Sequence, residues 1–220
     1  MSELKIKVCV LGMVSTNCYI VYKEPENREE GVQLPAVIID PADNVRYITK
    51  QLNELNLKLE AILLTHGHFD HIMAADSLRQ AYQVPIIACE KEKELLADPQ
   101  MNGGPMIGAS VSLAADQWVQ GGDVLELLGM KWKVLYTPGH TIGSVCYYLE
   151  EEHVLFSGDT LFCQSYGRTD LATGSSRQLM QSIIQILFKL PDETNVCPGH
   201  EDMTTIGFEK KRNPIAYYMR

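Results

Sequence analysis

Thr65-His66-Gly67-His68-Phe69-Asp70-His71 follows directly on the apolar run Ala61-Ile62-Leu63-Leu64. Three histidines and an aspartate thus fall within six residues at the end of a predicted strand. Two further histidines stand in the same relation to apolar runs: Lys-Val-Leu-Tyr leads into Thr137-Pro138-Gly139-His140, and Asn-Val-Cys leads into Pro198-Gly199-His200. A second carboxylate, Asp159, closes the run His153-Val-Leu-Phe-Ser-Gly-Asp159. Five of the six histidines are therefore accounted for by three clusters, and His153 is left without a clustered partner.

Imidazole and carboxylate are the ligands that Zn²⁺, Fe²⁺ or Mn²⁺ accept. In an extended or turning segment residues two apart point the same way, so His66 and His68 can grip one ion while Asp70 and His71 face beyond it. This predicts two neighbouring ions. A metal-free use of seven ionisable groups at the ends of buried strands is disfavoured by the cost of desolvating them. The repeated Pro-Gly before His140 and His200 predicts sharp, rigid turns that hold each imidazole without a flexible arm.

At 220 residues and 45% hydrophobic, the chain is expected to form one domain, 1–220, with a substantial core. Nineteen basic against 28 acidic residues give a net charge of −9, which argues against a nucleic-acid footprint and for a small-molecule partner. No run reaches the roughly 18 apolar residues of a membrane span. The N-terminal stretch lacks a small-residue cleavage site and reads as two strands. The six cysteines show no CxxC spacing and mostly lie in apolar runs, which fits a reducing cytoplasm. Cys163, in the loop after Asp159, reads as a bystander because no base adjoins it.

Alternating or continuous apolar runs predict strands at Leu4 to Leu11, Cys18 to Tyr22, Ala36 to Ile39, Ala61 to Leu64, Ile86 to Cys89, Val124 to Leu127, Lys131 to Tyr136, Ser144 to Leu149, His153 to Phe156 and Asn195 to Cys197. Helical spacing covers Val45 to Leu55, His71 to Tyr82, Lys91 to Ala97, Ser176 to Leu190 and Thr205 to Lys211. Tight turns at Leu127 to Met130 and Glu150 to Glu152 predict hairpins, while helices separate other strands, so a layered α/β domain with mixed sheets is expected. Since every candidate ligand lies where a strand stops, loops at one sheet edge should converge on a single site. Two loops stand near it. Asp98 to Gln117 is long and rich in glycine and methionine, and reads as a lid, a substrate wall or a disordered insertion. Cys163 to Ser176 carries Tyr166, Arg168 and Asp170; Arg168 is placed either to bind a substrate carboxylate or to pair with Asp170.

With THGHFDH, His140, Asp159 and His200 in that order, the chain resembles the metallo-β-lactamase-fold superfamily over essentially its full length. The stretches SGDTLF, YGRTD and PGHEDMTTIGFEKKRNP resemble its short glyoxalase II-like, or hydroxyacylglutathione hydrolase-like, members. The resemblance implies an αββα sandwich of two mixed β-sheets with helices outside and a binuclear site at one edge. It assigns His66, His68 and His140 to one metal, Asp70, His71 and His200 to the other, and Asp159 as the bridging carboxylate. Asp40, ending the strand AVIID, matches the aspartate that steadies the histidine loop; read alone, it is only a strand terminator. The long glyoxalase II enzymes continue into a helical region with basic residues for glutathione, and place a lysine and a tyrosine where this chain reads Tyr166 to Asp170. Only a basic group, Arg168, with Tyr166 near it, is carried over toward substrate. The β-lactamases of the superfamily commonly have cysteine at the place of Asp159 and lack the counterpart of His71.

These features lead to the expectation of a metal-dependent thioester hydrolase with two divalent ions, zinc before iron or manganese, in which a hydroxide shared by the ions attacks the carbonyl and Asp70 orients it. A competing expectation is a one-iron persulfide dioxygenase-like oxidoreductase using His66, His140 and Asp159. A non-enzymatic metal-binding protein is disfavoured by the complete ligand set.

Overall fold

The computed structural model describes residues 2–219. The first sheet has six strands in sequential order: β1 (Ser2–Leu11), β2 (Thr16–Pro25), β3 (Leu34–Ile39), β4 (Leu57–Leu63), β5 (Ile86–Cys89) and β6 (Gln117–Val119). Its first two pairings are antiparallel and the rest parallel. The second sheet is built from β7 (Val124–Leu127), β8 (Met130–Tyr136), β9 (Val145–Leu149), β10 (Val154–Gly158), β13 (Asn195–Pro198) and β14 (Thr204–Thr205), in the order β14-β13-β10-β9-β8-β7. Only β10 and β13 pair in parallel there. A small hairpin, β11 (Leu161–Phe162) and β12 (Ser165–Tyr166), follows Asp159.

Side-chain alternation explains the layering. Tyr19, Val21, Val37, Ile39 and Leu63 point inward against Trp132, Val134, Tyr147 and Phe156 of the second sheet. Their neighbours Ile20, Ile38 and Ile62 point outward, beneath Ile48 and Leu52 of α1 (Val45–Glu54) and Leu78 of α3 (Ala75–Tyr82). On the other side Cys146, Tyr148 and Leu155 meet Leu179 and Ile183 of α5 (Ser176–Gln185) and Ile206 of α6 (Ile206–Arg212). Strands apolar on both faces are what a sheet covered twice requires. The result is the mixed-sheet αββα sandwich, not a doubly wound parallel sheet.

Leu128 and Gly129, with φ of 57° and 67°, form the two-residue turn between β7 and β8, the left-handed pair that matches strand twist. The predicted helix from His71 to Tyr82 is divided. Phe69–Ile72 forms a short helical turn, α2, and the chain re-enters a helix at Ala75, because the Ala74 N–H donates to the carbonyl of Pro41. The predicted Lys91 helix is a 3₁₀ turn, Glu90–Glu92, running into α4 (Lys93–Ala97). β6, β11, β12 and β14 have no counterpart in the sequence reading; each is two or three residues long, too short to show alternation. Among the described residues no helix is long and apolar enough to cross a membrane, and all six cysteines are free.

Candidate metal centre

The ends of β4, β8, β10 and β13 lie at one edge of the sandwich and bring the seven candidate ligands together. Nε2 of His140 lies 2.8 Å from Nδ1 of His68 and 3.2 Å from Nε2 of His66. Next to this trio, Oδ2 of Asp70 lies 3.3 Å from Nε2 of His71 and 3.2 Å from Nε2 of His200. Asp159 spans both groups: Oδ1 is 3.3 Å from His71 Nε2, and Oδ2 is 3.4 Å from His140 Nε2 and 3.5 Å from His200 Nε2. The short helix α2 explains how neighbouring residues serve different places: successive helical side chains diverge by about 100°, whereas His68, just before it, lies on extended chain.

The outer ring nitrogens have fixed partners. Nδ1 of His140 donates to the Arg168 carbonyl at 2.8 Å, since a carbonyl can only accept. Nδ1 of His71 meets Oδ2 of Asp40 at 2.9 Å. Thr65 Oγ1 donates to the same Asp40 oxygen at 2.6 Å and so receives the Nδ1 proton of His66 at 3.1 Å. The Nε2 atoms of all three rings are thereby turned toward the centre. His71 Nε2 and Asp159 Oδ1 are buried without a hydrogen-bond partner of their own. Nitrogen atoms about 3 Å apart are spaced as donors to a common cation are, for which bonds of about 2.0–2.1 Å are usual, and the Nδ1 commitments of His66 and His140 leave no proton between their Nε2 atoms. The residues present therefore fit two metal sites, one formed by His66, His68 and His140 and the other by Asp70, His71 and His200. Asp40 also approaches His66 and His71, but its oxygens are already committed to Thr65 and His71.

Electrostatics separates the two groups. Burial, reinforced by the neighbouring imidazoles, pushes His66 far below its ordinary value and His68 down to about 3. Burial lowers His140 too, against the pull of Asp159. These rings are neutral at pH 7, the form a cation needs. Burial acts in the same sense on His71 and His200, but Asp70, Asp159 and Asp40 overcome it at His71, and the Asp70 hydrogen bond does so at His200, so both are raised. The carboxyls of Asp70 and Asp159 resist burial because His71 and its neighbours favour the ion; Asp70 is held well below the usual carboxylate range and Asp159 is lowered to about 2.

A family model for the metallo-beta-lactamase superfamily matches residues 11–200. The chain belongs to that superfamily. Hydroxyacylglutathione hydrolase GloC of Haemophilus influenzae is 34% identical over 218 residues, 96% of this chain and 98% of the relative. Among solved metallo-β-lactamase folds, the BLEG-1 B3 metallo-beta-lactamase superposes with a TM-score of 0.87 at 39% identity, covering 96% of this chain and 98% of that one. TTHA1623 in a di-iron-bound form superposes with a TM-score of 0.80 at 31% identity, over 94% and 98% of the two chains.

The superfamily edge carries a cleft of about 270 Å³ over the histidines, walled by Val14, Phe69, Met106, Ile107 and Leu171 with Asn102 and Arg168. A larger depression of about 480 Å³, between Cys89 and Tyr136, does not touch the histidines. Of the three readings of Asp98 to Gln117, the structure places the segment as a wall. A 3₁₀ turn at Gly104–Ile107 presents Met106 and Ile107, and the buried Asn102 ties the segment down, its carbonyl accepting the Phe69 N–H at 2.9 Å. Arg168 lies at the cleft, but its guanidinium makes two 2.7 Å bonds to Asp170, the second of the two uses named for it. Tyr166 lies on β12, outside the cleft lining. His153 lies in the turn before β10, away from the clusters, with φ of 51°.

Several supporting residues gave no signal in the sequence. Thr16 Oγ1 donates to Asp70 Oδ2 at 2.7 Å from the turn into β2. Glu92 is wholly buried beneath the histidine loops. The Pro-Gly-His turns also serve a purpose beyond rigidity. A Cβ on Gly139, at φ of 137°, would strike the Leu179 backbone of α5, and one on Gly199 would fall on Asp159 Oδ1 and within 2.8 Å of the His71 ring.

Proposed function

We propose that the chain is a binuclear metal-dependent hydrolase acting on acyl thioesters, with His66, His68 and His140 holding one ion, Asp70, His71 and His200 the other, and Asp159 facing both. The observation that carries this reading is the convergence of ring nitrogens and carboxylate oxygens, 2.8–3.5 Å apart, at the floor of a cleft. Zinc suits nitrogen and carboxylate donors, and the likeness to a protein with a di-iron form supports iron as the other candidate. When bound, two such ions supply a water acidic enough to ionise near neutral pH and positive charge for a carbonyl oxygen.

The chain's own groups favour a thioester among acyl compounds. The ring protons of His66, His140 and His71 are committed to Thr65, Arg168 and Asp40, so none of these three rings offers its Nδ1 proton to a leaving group. A thiolate, with a conjugate pKa of about 8.5 in simple thiols, departs without one, whereas an alkoxide or amine needs it. Asp70, oriented by Thr16, is the group placed to align the attacking water. The apolar wall of Val14, Phe69, Met106, Ile107 and Leu171 would take up an apolar portion of the substrate. The likeness to GloC supports a hydroxyacylglutathione, with Arg168 the cation at the cleft. The likeness to BLEG-1 supports a second reading, β-lactam hydrolysis, in which a strained amide replaces the thioester. Six free thiols accord with a reducing cytoplasm, and a net charge of −9 with a small-molecule partner.

The test is a substrate panel on protein of known metal content: S-lactoylglutathione, simple acyl thioesters, a chromogenic β-lactam, and oxygen consumption with glutathione persulfide. Thioester turnover with two ions per chain is expected. Faster β-lactam turnover would favour the second reading, and oxygen uptake with one iron per chain would overturn both.

A further inference from the structure

Glu92 stands in the run Glu90-Lys91-Glu92-Lys93-Glu94, whose other four members are exposed, yet it is itself fully buried. Among the described residues it forms no ion pair. It is instead enclosed by three hydrogen-bond donors. Oε2 accepts the Gly67 N–H at 2.7 Å. Oε1 accepts the Gly143 N–H at 2.7 Å and the Thr141 hydroxyl at 2.8 Å. Gly67 lies between His66 and His68, while Thr141 and Gly143 follow His140. The two glycines allow this approach: a Cβ on Gly143 would come within 2.6 Å of Oε1, and one on Gly67 within 2.7 Å of Leu95 and 3.1 Å of Oε2.

We propose that Glu92 is a positioning residue for the three-histidine metal site, a two-acceptor clamp that sets the spacing between the His66-Gly67-His68 loop and the loop after His140. This rests on reading those three histidines as ligands of one ion. The chemistry is specific to a carboxylate. Each oxygen faces a backbone N–H from a different loop, so both must accept. A glutamine of the same shape puts its NH₂ group against one of those N–H groups, releasing one loop and opposing donor to donor.

The clamp is tested by titrating metal-free wild type and Glu92→Gln with Co²⁺ alone, under chelator competition, and recording the visible absorption at each step. One binding step is expected to weaken by about 10–100-fold, as for other residues that orient ligands. The other step should stay near wild type, and the cobalt spectrum of the weakened site should shift. Wild-type affinities and spectrum in Glu92→Gln, even with a lower melting temperature, would make Glu92 merely structural and overturn the proposal. If Glu92→Gln does not fold, Thr141→Val removes only the hydroxyl tie. Weakening of one step by several-fold then supports the clamp, and unchanged affinities overturn it. Wild type that binds fewer than two cobalt ions would instead sink the metal reading itself, whatever the variants do.

Discussion

Asp40 Oδ2 lies 2.9 Å from Nδ1 of His71, and the same carboxylate accepts the Thr65 N–H at 2.8 Å and its hydroxyl at 2.6 Å. One buried aspartate, held at a left-handed φ of 48°, thus fixes both the start of the histidine loop and the tautomer of its last histidine. Asp40→Ala leaves three buried donors unpaired. It should lower the stability of the metal-free protein by about 3 kcal/mol or more and weaken metal binding by about 10–100-fold. Chemical denaturation and chelator competition measure the two effects separately.

Thr16→Val removes the only hydroxyl that donates to Asp70 among the described bonds while keeping the side chain's shape. Metal content should be retained, and kcat should fall about tenfold with little change in KM, because the loss is one hydrogen bond to a charged group. Steady-state kinetics on a thioester checks this; an unchanged kcat would remove Thr16 from the account.

The metal-free protein should be most stable near pH 6.5. Below that pH the unfolded chain takes up protons at His66, His68 and His140, whose folded values are lowered, so stability falls as the pH drops toward the value of about 3 at His68. Above it, His71 and His200, whose folded values are raised, lose the stability that their protonated forms contribute. The depressed Asp159 contributes stability that is present above its unfolded value near 3.8 and lost as the pH falls through about 2. Urea denaturation of the metal-free protein across pH 4–9 would show the maximum; a monotonic profile over that range would contradict it.

Met106→Gln places a polar group in the apolar wall without touching a candidate ligand. KM for a thioester with an apolar acyl chain should rise several-fold at nearly constant kcat, with a smaller change for acetyl thioesters. Equal effects on both substrates would remove the wall from substrate binding.

Much of the architecture was legible because it is written in local patterns. Continuous apolar runs such as Tyr19 to Val21 and Val145 to Leu149 mark strands with two buried faces, and Pro-Gly-His after an apolar run marks a strand-end turn. The candidate ligands were legible because histidine and aspartate at strand ends have few other uses. What escaped depends on tertiary approach. Glu92 sits in an alternating charge run that reads as a solvated face, and its burial follows from the two glycine loops folding over it. The His140 ring is anchored by a backbone carbonyl, that of Arg168, to which side-chain identity is silent. Val14 reaches the cleft from a turn more than 50 residues before His68, through the β2–β3 and β3–β4 pairings that no local window contains. The break between α2 and α3 likewise depends on the distant Pro41 carbonyl.

The central claim, a two-ion site that hydrolyses thioesters, is tested most directly by counting metal ions per chain in the purified protein and following thioester hydrolysis as they are removed and restored. Two divalent ions per chain, loss of hydrolysis on their removal, recovery on addition of Zn²⁺, and loss of both activity and metal in Asp159→Ala are the predicted results. Full hydrolysis by metal-depleted protein, or a single iron with oxygen uptake and no thioester turnover, would contradict it.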